Sequence, residues 1–84
     1  MKDPLIAQAH HLKPIVQIGK DGLSDGLIDM ISHELKEREL IKVKFLKNAE
    51  VDDKKEFAQE VAQKTQSRLV QVIGHTIVLY KKRE

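Results

Sequence analysis

Apolar residues recur along this chain in two rhythms, one near 3.6 residues and one of two. Leu5, Ile6, Ala9 and Leu12 fall at helical spacing and predict a short first helix over 5–12. Pro14 ends it, because the residue before a proline avoids the helical region. Ile15-Val16-Gln17-Ile18 then predicts a short strand, and Gly19-Lys20-Asp21-Gly22-Leu23-Ser24 a loop. Ser24 is placed to cap a second helix, with Asp25 complementing its dipole. Leu27, Ile28, Ile31 and Leu35 form the apolar stripe of that helix, while Glu34, Lys36, Glu37, Arg38 and Glu39 face solvent. Gly26 in its first turn weakens it.

The rhythm changes at Leu40. Over 40–46, Ile41, Val43 and Phe45 alternate with Lys42 and Lys44, which predicts a strand with one apolar and one basic face. A polar connection over 48–53 offers Asp52 or Asp53 as cap for a third helix, whose stripe is Phe57, Ala58, Val61, Ala62 and Thr65. Gln66-Ser67 closes it. Residues 69–73 and 76–80 predict two strands joined by Gly74-His75, the sequence of a type II′ hairpin. That turn sets Val72 opposite Ile77 and Val70 opposite Leu79 on one wholly apolar face. Gln71 falls opposite Val78, and Leu69 opposite Tyr80, on a mixed face. The apolar face is expected to carry the two long helices, and the mixed face to be partly covered by the first.

The element order is α-β-α-β-α-β-β. Strand–helix–strand units favour parallel neighbours, whereas the final hairpin is antiparallel. The fold class is therefore α/β, with a four-stranded mixed sheet. At 84 residues the chain is expected to form a single compact domain, 1–84, around one small core. It contains no cysteine, which removes disulfides and thiolate metal sites. No apolar run is long enough to span a bilayer. Met1-Lys2-Asp3-Pro4 lacks a signal-peptide core, so a cytoplasmic location is expected.

The formal net charge of +2 is too small to identify a polyanion binder, but its distribution is uneven. Acids gather at 21–39 and 50–60. Bases gather at Lys42, Lys44 and Lys47, and again at Lys81, Lys82 and Arg83. A modest total can conceal a basic face. The glycine loop adds the second clue. Glycine takes φ > 0 without a Cβ clash and admits another backbone at close range. A strand–glycine loop–helix joint also gathers free N–H groups and the positive end of a helix dipole, where phosphate binds readily. Gly19, Lys20, Asp21 and Gly22 are thus the candidate phosphate-backbone site, although the charge of Asp21 must point away from the anion. Lys42, Lys44 and Lys47 extend it, and Lys13 flanks the strand that leads into it. The plain alternatives are a tight turn for the glycines and a solvated strand face for the lysines.

Residues 12–24, Leu40-Ile41-Lys42-Val43-Lys44 and residues 72–80, Val72-Ile73-Gly74-His75-Thr76-Ile77-Val78-Leu79-Tyr80, together resemble the three motifs of the chloroplast RNA splicing and ribosome maturation (CRM) domain family. The likeness covers about Leu5 to Lys82. It is to the stand-alone prokaryotic, YhbY-like members, which are associated with precursors of the large ribosomal subunit. It implies a fold similar to the C-terminal domain of bacterial translation initiation factor three. It also implies a glycine loop like that of KH domains, which clamp nucleotide backbones, and RNA binding without catalysis. Family members usually begin with a longer, basic first helix. Here Lys2 is the only lysine or arginine in residues 1–11, so the resemblance carries no RNA contact over to that helix.

Other chemistries find little support. The four histidines, His10, His11, His33 and His75, lack metal-ligand spacing, and His75 is accounted for by the hairpin turn. The loop is neither a nucleotide-hydrolysing P-loop nor a dinucleotide fingerprint. No nucleophile–base ordering is present, so no enzyme, cofactor or small-molecule substrate is expected. The only aromatics are Phe45, Phe57 and Tyr80, and the first two fall on core stripes. Base stacking is therefore scarce, and recognition is expected to rest on backbone and shape. The expected partner is RNA, ribosomal RNA or the pre-ribosomal large subunit in particular. A protein-interaction module in which the loop is only a turn is the alternative.

Overall fold

The computed structural model describes residues 4–20, 22–47, 49 and 52–82. The chain runs α1 (Pro4–Ala9), β1 (Val16–Ile18), α2 (Asp25–Arg38), β2 (Leu40–Phe45), α3 (Lys54–Lys64), β3 (Arg68–Ile73) and β4 (Thr76–Tyr80). Both long helices start as their sequences predict. The Ser24 hydroxyl accepts from the Leu27 N–H at 3.2 Å, and the Asp53 carboxylate from the Glu56 N–H at 3.1 Å. α1 stops at Ala9 rather than residue 12. The N–H groups of His10, His11 and Leu12 reach back three residues instead of four, tightening the chain ahead of Pro14.

The C-terminal ends of α2 and α3 use non-glycine residues at positive φ. Glu39, with φ 66°, caps α2 through its N–H to the Leu35 carbonyl, and it is half-buried rather than solvent-facing. Gln66, with φ 55°, follows α3. The Ser67 N–H returns to the Ala62 carbonyl and the Gln66 N–H to the Gln63 carbonyl, completing a Schellman closure. Buried Thr65 locks the same turn, its hydroxyl donating to the Val61 carbonyl at 2.8 Å.

The sheet order is β1-β2-β4-β3. β1 and β2 are parallel, and β4 is antiparallel to both β2 and β3. This is the mixed four-stranded α/β architecture expected. The turn at Gly74-His75 fits type II′, with Gly74 at φ 55° and His75 outside the positive region. Val72 opposes Ile77 and Gln71 opposes Val78, as predicted. Beyond Gln71 the register differs from the prediction. A bulge at Val70 sets Leu69 opposite Leu79 and Arg68 opposite Tyr80. An extra residue on an edge strand is accommodated this way, and here it turns Leu69 rather than Val70 toward the core.

Residues paired across strands share a face, which divides the sheet. One face presents Val16, Ile18, Ile41, Val43, Phe45, Leu69, Val72, Ile77 and Leu79, and these pack with Ile31 and Leu35 of α2 and Ala58, Val61 and Ala62 of α3. The Phe45 and Phe57 rings meet edge to face at 5.3 Å. The other face carries Val78, almost wholly buried but outside that core. α1 packs there against β2, β3 and β4, as the mixed face predicts.

Strand directions place the two helix starts together. α2 leaves the C-terminal end of β1 and returns to the start of β2, and α3 leaves the C-terminal end of β2. Both N-termini therefore sit at the end of the sheet where β1 and β2 stop. The Gly74-His75 turn lies at that end too.

Candidate nucleic-acid interface

Three backbone segments meet at this end. The Leu46 N–H bonds to the Ile18 carbonyl at 2.8 Å, tying the exit of β2 to the exit of β1. The Phe45 N–H bonds to the His75 carbonyl at 2.6 Å, tying β2 to the hairpin turn. The glycine loop, the Leu46–Lys47 turn and the hairpin thus lie side by side, spanning roughly 10 Å by two inter-strand spacings.

The glycine loop closes through the Gly22 N–H, which bonds to the Gly19 carbonyl at 3.1 Å. Gly22 has φ 64°, the left-handed conformation that glycine takes without cost. A Cβ built on Gly22 would meet nothing within 4 Å. The residue is therefore required by its backbone conformation, and the space over it is open to an approaching group. Lys20 is exposed on the same turn, and Ser24 begins α2 two residues beyond Gly22. Asp21 lies outside the described residues.

The predicted lysines divide by position. Lys47 is exposed immediately beyond β2, beside the loop. Lys44 is exposed on the open sheet face, paired with Gln17 of β1 and Thr76 of β4. With Ile73, half exposed at 51%, these residues make a row across all four strands next to the loop end. Lys42 is one step farther from the loop on that face, opposite Val78, and is half-buried. Lys13 precedes β1 and lies toward its opposite end, exposed and away from the loop. Lys81 is engaged elsewhere: its N–H bonds to the Glu39 carbonyl, and its ammonium reaches the Thr65 carbonyl at 3.4 Å. It braces the far end of the sheet. Arg83 lies outside the described residues.

The structure adds two groups to this end. The Lys54 ammonium, in the first turn of α3, lies 2.9 Å from Nδ1 of His75 in the hairpin. Sequence spacing links them only through the β2–α3 crossover, which returns the start of α3 to the end where the hairpin turns. A shallow groove of about 920 Å³ runs from this corner between α3 and β3, bordered by Asp52, Asp53, Lys54 and Lys55. Among the described residues no three His, Asp or Glu side chains gather to hold a metal ion, and no helix is long and apolar enough to cross a membrane.

The strand–glycine loop–helix joint, with exposed Lys20, lies in the segment 12–24 that carries the first of the family-like motifs. The CRS1 / YhbY (CRM) domain model matches residues 1–81. The chain belongs to this family. The CRM domain described here is 51% identical over 77 residues to the probable RNA-binding protein YqeI of Bacillus subtilis, covering 92% of this chain and 79% of that protein. It is 40% identical over 76 residues to an RNA-binding protein of Haemophilus influenzae, covering 90% and 76%. The solution structure of the protein SAV1595 from Staphylococcus aureus superposes on it with a TM-score of 0.81 at 47% identity, over 96% of this chain and 83% of that one. The fold is thus shared beyond this chain.

Proposed function

We propose that this CRM domain binds RNA by its sugar-phosphate backbone, without catalysing a reaction on it. Gly19 to Gly22 receive a phosphate. Lys20, Lys44 and Lys47 neutralise charge around it, and Lys42 and Lys13 serve phosphates farther along the strand. The observation that carries this reading is the open space over Gly22, at a turn that also starts a helix. The Gly22 N–H is taken by the Gly19 carbonyl, so on this reading the anion is drawn by the N-terminal end of the α2 dipole and by Lys20. The names of its relatives support RNA as the ligand. With two phenylalanines and one tyrosine in the chain, and Phe45 buried, base stacking contributes little and base preference is weak.

The RNA is ribosomal, and the setting is assembly of the large subunit in the cytoplasm. This finer assignment follows the resemblance to stand-alone YhbY-like members. In-cell crosslinking followed by mapping of the bound RNA is expected to return large-subunit ribosomal RNA, and reads spread over unrelated transcripts would remove that assignment.

The site itself is tested with Lys20→Ala combined with Lys42→Ala. At fixed salt the double variant is expected to bind RNA at least about tenfold more weakly. The slope of log affinity against log salt should shrink by about 1.4, the value for two single-strand phosphate contacts. The urea midpoint should stay unchanged. Full affinity in the folded variant removes the loop-and-strand reading. Salt-insensitive binding to a protein, with no affinity for RNA, establishes the interaction-module alternative.

A further inference from the structure

The Lys54–His75 contact joins two elements at a corner that the glycine loop does not reach. An ammonium has three donors and no lone pair. At 2.9 Å it must donate, so Nδ1 of His75 accepts and the ring proton sits on Nε2. The ring is thereby turned into a directed donor. Nδ1 is held by Lys54, and Nε2–H points away from it into solvent, since His75 is exposed. Lys54 keeps further N–H groups for an anion.

The place of this pair matters as much as its chemistry. The His75 carbonyl is bonded to Phe45, and Leu46 to Ile18. The imidazole therefore hangs from the same end of the sheet as Gly19, about two strands away. Exposed Lys47 lies between them. A polyanion entering at the glycine loop and crossing the exit of β2 arrives next at the hairpin.

We infer that Lys54 and His75 form a second contact point for the RNA backbone, with Lys54 neutralising a phosphate and the Nε2–H of His75 donating to a phosphate oxygen or ribose hydroxyl beside it. This inference rests on the RNA-backbone reading of the glycine loop and extends the bound strand from one corner of the sheet end to the other. The two residues have different signatures. Lys54 displaces a counterion and therefore contributes to the salt slope, whereas a neutral imidazole donor does not.

The test uses the full chain and a fluorescently labelled oligouridylate of about 16 nucleotides, titrated across a salt series. Lys54→Ala is expected to weaken binding about three- to tenfold and to lower the slope by about 0.7. His75→Ala is expected to weaken it about threefold and leave the slope unchanged. Lys64→Ala, at the opposite end of α3 where Lys64 pairs with Glu60, should match the unsubstituted protein. Nitrogen-15 NMR of the free protein is expected to show the His75 proton on Nε2, with the tautomer preference reduced in Lys54→Ala. If Lys20→Ala weakens binding but Lys54→Ala and His75→Ala do not, the second contact point is refuted and the loop reading stands. If the reverse holds, the hairpin corner is the anion site and the loop reading is refuted. If the unsubstituted protein does not bind the oligonucleotide at any salt concentration, both are refuted.

Discussion

At one end of the sheet the chain turns on Gly19–Gly22 and Gly74–His75; at the other it turns on Glu39 and Gln66. Positive φ occurs at both ends, so both are tightly wound. They differ in how the turn is held and what it leaves available. At the far end, neighbours hold side-chain-bearing residues in a conformation that costs each of them about 1 kcal/mol or more. The Glu39 N–H bonds to Leu35 and its carbonyl to Lys81, while Ser67 and Thr65 close the other helix. Lys81 joins the two junctions. Polar groups there are engaged within the fold. At the glycine end the turn needs no such bracing, and exposed ammonium groups stand around it. The same secondary-structure joints thus serve as structural bracing at one end and, under the proposed function, as a binding surface at the other.

The largest separation between the ends should come from the core under the far one. Leu35 is fully buried near the last turn of α2. Leu35→Ala is expected to lower unfolding free energy by about 3 kcal/mol. RNA affinity of the folded fraction should remain within about twofold, as read from urea denaturation and titration at low temperature. A large affinity loss with the fold intact would mean the ends are not independent. Gly22→Ala is the intermediate case. Its Cβ meets no clash, so the cost is conformational, about 1 kcal/mol. If a phosphate occupies the open space over Gly22, affinity also drops after correction for folding. Unchanged affinity would return Gly22 to the role of a turn residue. The smallest effect is expected at Gly26, an exposed helical position with open space where a Cβ would sit. Gly26→Ala should stabilise by about 0.5–1 kcal/mol, seen as a raised urea midpoint. Loss of RNA affinity in that more stable variant would mark close approach of the strand to the first turn of α2.

Much of this fold is legible in the sequence because local signals agree. Ser24 and Asp53 cap where they should, and Gly74-His75 turns as a two-residue hairpin loop. The alternation Ile41, Val43, Phe45 fixes the central strand. The bulge at Val70 was not legible, because Leu69 and Val70 are both apolar and either register gives apolar pairs. The end of α3 was only partly legible, since its Schellman closure uses Gln66 where glycine is the usual sign. The candidate site shows the same limit. Gly19, Lys20 and Gly22 stand together in sequence as they do in space. Lys13 is near the loop in sequence but lies toward the opposite end of β1, whereas Lys54 and His75 are far apart in sequence and meet in the fold. Periodicity locates elements, but only strand direction reveals which of their ends coincide.

The irregularity at Val70 also bears on how copies of this domain behave when crowded together. β3 is an outer strand, and a straight outer strand offers its unpaired donors and acceptors to any neighbour. The extra residue interrupts that spacing midway along the strand. That edge is therefore a poor template for fusing two copies' sheets into a continuous ribbon.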